Sequence, residues 1–128
     1  MAKYLVDSDV LIWVLRGRRE TVEVVSRLAA EGGEPLACSA LNILEIWSGA
    51  KPSETHRTSV LLDALEVVPV DRVVARLAAE LLQAAPHPSL PRDWADAVIA
   101  ATALHHRLTL LTYNRKDYPY RDLVLYPL

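Results

Sequence analysis

Residues 3–15, KYLVDSDVLIWVL, place two carboxylates, Asp7 and Asp9, inside an otherwise apolar run. An ionised carboxylate in apolar surroundings is costly unless something compensates it. Further acids stand in comparable settings: Glu45 in ALNILEIW, Asp96 in RDWADAVIAATAL and Asp117 in TLLTYNRKDYP. If Asp7, Glu45, Asp96 and Asp117 converge on one pocket, their mutual repulsion is severe. A divalent cation relieves it, and hard oxygen ligands suit Mg²⁺ or Mn²⁺. Such an ion can generate hydroxide, orient a phosphodiester and stabilise a leaving oxygen. Each acid also has a purely structural reading. Asp7 can cap a following helix, and Asp9 can favour that helix's positive end. Asp93 can be an N-cap with Asp96 in the first turn, while Asn114 and Asp117 can shape a turn. Glu45 becomes a surface residue if its helix is out of phase by one position.

The elements that must position these acids read as alternating strands and helices. Tyr4–Val6 is a short, wholly apolar strand, as expected where both sheet faces are covered. Val10–Leu15 begins a helix that stops near Gly17. Thr21–Ala30 sets Val22, Val25, Leu28 and Ala29 at helical spacing before Gly32-Gly33. Pro35–Cys38 is a second strand, and Ser39 is placed to cap a helix over Ala40–Trp47. Ser53–Leu65 predicts a helix burying Val60, Leu61, Ala64 and Leu65. Val67–Val70 is a third strand, whose ladder Pro69 makes incomplete or places at an edge. Asp71 caps a helix with apolar residues at 74, 77, 78, 81 and 82. The PHPSLP loop (86–91) leads to a last helix from Asp93 to about His106. Leu108–Thr112 is a fourth strand and Leu123–Leu125 a candidate fifth.

Such alternation predicts an α/β fold with a mostly parallel sheet, in which ligands bind beyond the carboxyl ends of the strands. Asp7 follows the first strand and Asp117 the fourth. The acids therefore fall where the rule points.

Composition narrows the class. The 128 residues suit a single domain, and a hydrophobic content of 52% is that of a folding chain. Fourteen Lys and Arg against sixteen Asp and Glu give a net charge of −2, so a nucleic-acid partner would need local basic patches. Candidates are Arg16, Arg18 and Arg19, then Arg92, then Arg115 and Lys116, each of which is equally a solvated surface residue. Cys38 is alone, which excludes a disulfide framework and a Cys-based zinc site and fits a reducing cytoplasm. Asp7 and Asp9 spoil the first apolar run as a membrane span. No glycine-rich phosphate loop is present, which argues against nucleoside-triphosphate hydrolysis.

In order and spacing, YLVDSDVLIWVLRG, CSALNILEIWSGA, DWADAVIAATAL and LTYNRKDYP resemble the motifs of PIN-domain ribonucleases, and in particular the VapC-like toxins of toxin–antitoxin pairs. The resemblance spans essentially residues 1–128. It implies an α/β/α sandwich around a mostly parallel sheet of about five strands, and Mg²⁺- or Mn²⁺-dependent RNA cleavage leaving a 5′-phosphate and a 3′-hydroxyl. By motif position it implies Asp7, Glu45, Asp96 and Asp117 as the acidic site. Asp7 and Asp96 would be direct metal ligands, while Glu45 and Asp117 would hold a second ion or position the attacking water. Ser8 and Asn114 fall at supporting positions. A homodimer and a cognate antitoxin are likewise implied. Asp9 departs from the family pattern, and helix capping is the reading favoured for it.

Two other functions compete. DSDV after an apolar strand also resembles the Asp-x-Asp motif of haloacid-dehalogenase-like phosphatases, with Asp7 as nucleophile and Asp9 as general acid. A degenerate PIN fold acting only as an RNA- or protein-binding module would retain the scaffold without needing all four acids.

Overall fold

The computed structural model describes residues 2–84 and 94–128. The PHPSLP loop, Arg92 and Asp93 lie outside the described residues. Strand β1 (Tyr4–Val6) leads into α1 (Ser8–Leu15) and α2 (Arg19–Gly32). Strand β2 (Ala37–Ser39) follows, then α3 (Ala40–Gly49). A short 3-10 turn (Pro52–Glu54) precedes α4 (Thr55–Asp63), β3 (Glu66–Val68) and α5 (Arg72–Gln83). The chain continues with α6 (Trp94–His106), β4 (Thr109–Leu111) and a second 3-10 turn (Arg115–Asp117).

The strands form one parallel sheet in the order β3-β2-β1-β4. Side chains alternate across it. Leu5, Ala37 and Leu110 enter one apolar cluster with Ile99, Ala100 and Ala103 of α6. Val6, Cys38 and Leu111 enter another with Val10, Leu11, Leu28, Ile46 and Leu62 from α1 to α4. Helices therefore cover both faces, which is why the central strands are mostly apolar instead of alternating with polar residues. Helix α5 packs on α6 through Val74, Ala78, Ala97 and Ala101. Small side chains at this contact let the two helices lie close.

The α/β/α sandwich is as expected, with two local differences. The candidate fifth strand is reduced to a single parallel bridge between Leu110 and Leu125. The Tyr126 carbonyl, which would carry the ladder onward, accepts instead from the Arg115 guanidinium and the Leu128 N–H, each at 2.9 Å. The Ser53–Leu65 segment divides into the 3-10 turn and α4, and its phase is rotated: Thr58 and Leu62 are buried, whereas Val60 is 58% exposed. The four-residue spacing of Val60 to Ala64 and Leu61 to Leu65 could not tell which stripe meets the core. Strand β3 is an edge, and it stops before Pro69, which has no N–H to donate.

Cys38 is wholly buried in β2, and burial pushes its thiol up to about 11. The thiolate is the reactive form. Native protein at neutral pH should therefore resist iodoacetamide and become labelled once unfolded in urea. Equal labelling rates in the two states would contradict this placement.

Candidate active site

The carboxyl ends of β1 and β4 lie side by side, and the Asp7 N–H donates to the Leu111 carbonyl at 2.9 Å. Strand order reverses direction between these two strands, the point beyond whose carboxyl ends such sheets bind ligands. Asp7 stands at that point. Its extended backbone ends β1 and its side chain caps α1: Oδ1 accepts the Ser8 N–H at 2.8 Å. Oδ2 accepts two hydroxyls, from Thr112 at 2.9 Å and from Tyr118 at 2.8 Å. The Asp7 side chain is thus both a helix cap and a buried acid, at 6% exposure.

The Tyr118 hydroxyl also reaches Oδ1 of Asp96, 3.2 Å away in the first turn of α6. One phenolic proton serves two carboxylates. Burial, followed by the charges of Asp7 and Asp96 and their hydrogen bonds, raises the Tyr118 hydroxyl far above its ordinary range, so it stays a neutral donor.

The N-cap position of α1 is Asp7, while Asp9 serves the same helix end from its first turn, accepting the Val10 N–H through Oδ1 at 2.8 Å. Through Oδ2 it also accepts the N–H groups of Tyr113 (2.9 Å) and Asn114 (3.1 Å). It fastens the turn after β4 to the start of α1 and so delivers Thr112 to Asp7. Burial and then the Asp7 charge raise the Asp9 carboxyl, against the backbone N–H groups that favour its anion. An acid occupied in this way by three main-chain donors is poorly placed to protonate a leaving group, which argues against the phosphatase role suggested by Asp-x-Asp.

Glu45 differs from the buried setting that its apolar neighbours suggest. Helix α3 turns Asn42 and Ile46 inward, leaving Leu44, Glu45 and Trp47 exposed. Glu45 is nonetheless held: the Ser8 hydroxyl donates to its Oε1 at 2.9 Å. Ser8 in turn accepts from the Asn42 amide at 2.9 Å, and Asn42 Oδ1 accepts the Ser39 N–H at 2.8 Å. The capping box of α3 therefore also aims Ser8 at Glu45.

Asp117 is exposed in the 3-10 turn, one residue before Tyr118, and Asn114 contributes its main-chain N–H to Asp9. Of the cations, Arg115 is tied to the Tyr126 carbonyl. Arg18 lies over the rings of both Trp13 (4.7 Å) and Tyr113 (5.1 Å), a stacking that fixes it beside the turn after β4. Arg16 lies over Trp13 at 5.7 Å. Arg19 and Lys116 are exposed.

Asn42, Thr112 and Tyr118 join the site without having been singled out in the sequence. Asn42 had a signal, three residues after the Ser39 cap, at the position where a capping box closes. Thr112 ends the predicted fourth strand. Tyr118 had none.

No group of three or more His, Cys, Asp or Glu side chains among the described residues is arranged to hold a metal ion. The Asp7–Asp96 pair nevertheless fits Mg²⁺ or Mn²⁺. Its donors are hard oxygens, its two acids compete for one proton, and Mg²⁺ keeps several waters and takes one or two carboxylates.

Comparison with known proteins supplies the family. The PIN domain family model matches residues 4–121. Ribonuclease VapC10 of Mycobacterium tuberculosis is 33% identical over 115 residues, covering 90% of this chain and 85% of the relative. A toxin–antitoxin complex from Klebsiella pneumoniae contains a chain 30% identical, with a TM-score of 0.79 and 98% of each chain covered. VapBC2 from Rickettsia felis, solved on a promoter DNA fragment, shares the fold at a TM-score of 0.83 and 19% identity, over 96% of each chain. With the family model matched over nearly all of its length and a VapC relative at 33% identity, the chain belongs to the PIN-domain family, among its VapC-like members.

Proposed function

We propose that this chain is a divalent-metal-dependent endoribonuclease and the toxin of a toxin–antitoxin pair. The observation that carries the reading is the Asp7–Tyr118–Asp96 bridge, two acids from distant parts of the chain brought onto one hydroxyl at the carboxyl end of the sheet. Bound there, Mg²⁺ or Mn²⁺ would supply an activated water and offset charge on a phosphodiester. Asp7 and Asp96 would hold the ion. Glu45, oriented by Ser8, and Asp117, on its exposed turn, would hold a second ion or position the attacking water. The products would be a 5′-phosphate and a 3′-hydroxyl.

Substrate backbone needs positive charge beside this acidic centre. Arg18, immobilised by Trp13 and Tyr113, and Arg16 and Lys116 are the cations suited to it, with Arg19 and Arg92 further candidates. Arg115 is committed to the C-terminal segment and would contribute less. The Klebsiella complex supports an antitoxin partner, and the exposed Leu44 and Trp47 of α3 are apolar surface that a partner or a second copy would cover. Among the described residues no helix is long and apolar enough to cross a membrane, which is compatible with a cytoplasmic site of action.

The test is cleavage of a mixed RNA pool by purified protein with Mg²⁺, with Mn²⁺ and with EDTA, alongside Asp96→Asn. Cutting should require the metal and disappear in the variant. Intact RNA under every metal condition, with the same RNA bound, would favour the non-catalytic module instead.

A further inference from the structure

We propose that Tyr118 is a positioning residue of the acidic site, its hydroxyl setting the spacing and orientation at which Asp7 and Asp96 receive a divalent cation. The inference rests on the metal-dependent reading above.

Three observations support it. First, the hydroxyl sits at a fixed point. Tyr118 is 3% exposed, and its ring belongs to the apolar cluster of Leu5, Ile99, Leu110 and Leu123. Its backbone closes the 3-10 turn, with its N–H on the Arg115 carbonyl at 3.1 Å. Second, the two acids it joins stand on different elements. Asp7 ends β1 and Asp96 lies in α6, and the hydroxyl spans the gap between them at 2.8 and 3.2 Å. Third, the donors on Asp7 are unevenly divided. Tyr118 and Thr112 both occupy Oδ2, whereas Oδ1 accepts only the Ser8 N–H among the described residues. A carboxylate oxygen accepts about two such bonds. The hydroxyls therefore lock the carboxylate through one oxygen and leave capacity on the other.

Packing does not call for this hydroxyl. A phenylalanine would fill the same apolar site, and a buried hydroxyl is costly unless bonded. Being neutral, it steadies both acids without bringing a positive charge that would compete with the cation. Groups that orient metal ligands typically influence metal affinity by about 10–100-fold.

Tyr118→Phe keeps the ring and removes the bridge. Mn²⁺ binding to the metal-free protein, without RNA, is read from the loss of the free-ion paramagnetic resonance signal. The expected result is a Kd for Mn²⁺ raised about 10–100-fold, a melting temperature in EDTA lowered by only about 3 °C for the lost hydrogen bond, and cleavage largely recovered at saturating Mn²⁺. A group needed only for folding would move the melting temperature and leave the metal dependence alone. Equal Mn²⁺ binding by Tyr118→Phe and wild type, with cleavage intact in both, would overturn the role of Tyr118 while leaving the nuclease standing. Absence of Mn²⁺ binding in the wild type would overturn both.

Discussion

Asp7→Asn should abolish RNA cleavage while leaving the protein folded, whereas Asp7→Ala should abolish cleavage and also lower the melting temperature by about 6 °C. The two substitutions separate the two roles that one side chain performs. Asparagine is as good an N-cap as aspartate, so the Ser8 N–H keeps its acceptor. Its amide N–H₂ would face the Thr112 and Tyr118 hydroxyls, which can rotate to accept instead of donate. Removing a buried charge close to Asp9 also relieves repulsion, since the Asp7 charge is one of the causes raising the Asp9 carboxyl. The loss of activity in Asp7→Asn is thus a loss of metal-binding charge and not of fold.

Alanine removes the cap as well, at about 1 kcal/mol. The two hydroxyls are not wholly stranded, because Thr112 lies 3.4 Å from Asp9 Oδ2 and Tyr118 reaches Asp96. Their weakened bonding adds about another 1 kcal/mol. A total of about 2 kcal/mol corresponds to roughly 6 °C in a domain of this size. Melts in EDTA and cleavage assays with Mn²⁺ check both statements. Metal-dependent cutting retained by Asp7→Asn would remove Asp7 from the metal site.

A larger stability effect is expected from Asn42→Ala, with a midpoint of urea unfolding lower by about 1.5 M. Asn42 is completely buried and uses both ends of its amide. The substitution leaves the Ser39 N–H without its acceptor inside the protein and the Ser8 hydroxyl without the donor that orients it. A buried donor left unsatisfied costs about 1–3 kcal/mol, and loss of a capping interaction about 1 kcal/mol. About 3 kcal/mol in all, divided by a urea dependence of about 2 kcal/mol per molar, gives the shift. Activity should fall about tenfold or more in the molecules that remain folded, because Glu45 depends on Ser8 for its orientation. Ser8→Ala spares the bond between Asn42 and Ser39. It should reproduce the loss of activity with a smaller loss of stability, about 1 kcal/mol. If Asn42→Ala unfolded at the wild-type urea concentration, the relay from Ser39 to Glu45 would have no energetic weight.

These effects also mark how much of the site could be read from one dimension. The alternation of elements was legible in one dimension, because hydrophobic periodicity, caps and prolines are local properties. Ser39 and Asp71 cap where their spacing to the following apolar stripes says they must. Pro69 ends an edge strand because a missing N–H breaks any ladder. The lone acids after β1 and within α6 were legible for a similar reason: charge inside an apolar run needs compensation wherever the run finally packs.

What supplies the compensation depends on how the chain folds. Strand order comes from backbone hydrogen bonds that leave no mark on side-chain identity, yet placing β4 beside β1 is what brings Thr112 and Tyr118 onto Asp7 across 105 and 111 residues of sequence. Helix phase was settled in the same way. Helices α3 and α4 are apolar on more than one side, so the stripe that faces the sheet was fixed by contact, turning Asn42 inward and leaving Glu45 and Val60 outside. A run of side chains states what must be buried or paired; which partner answers depends on chain segments that meet only after folding.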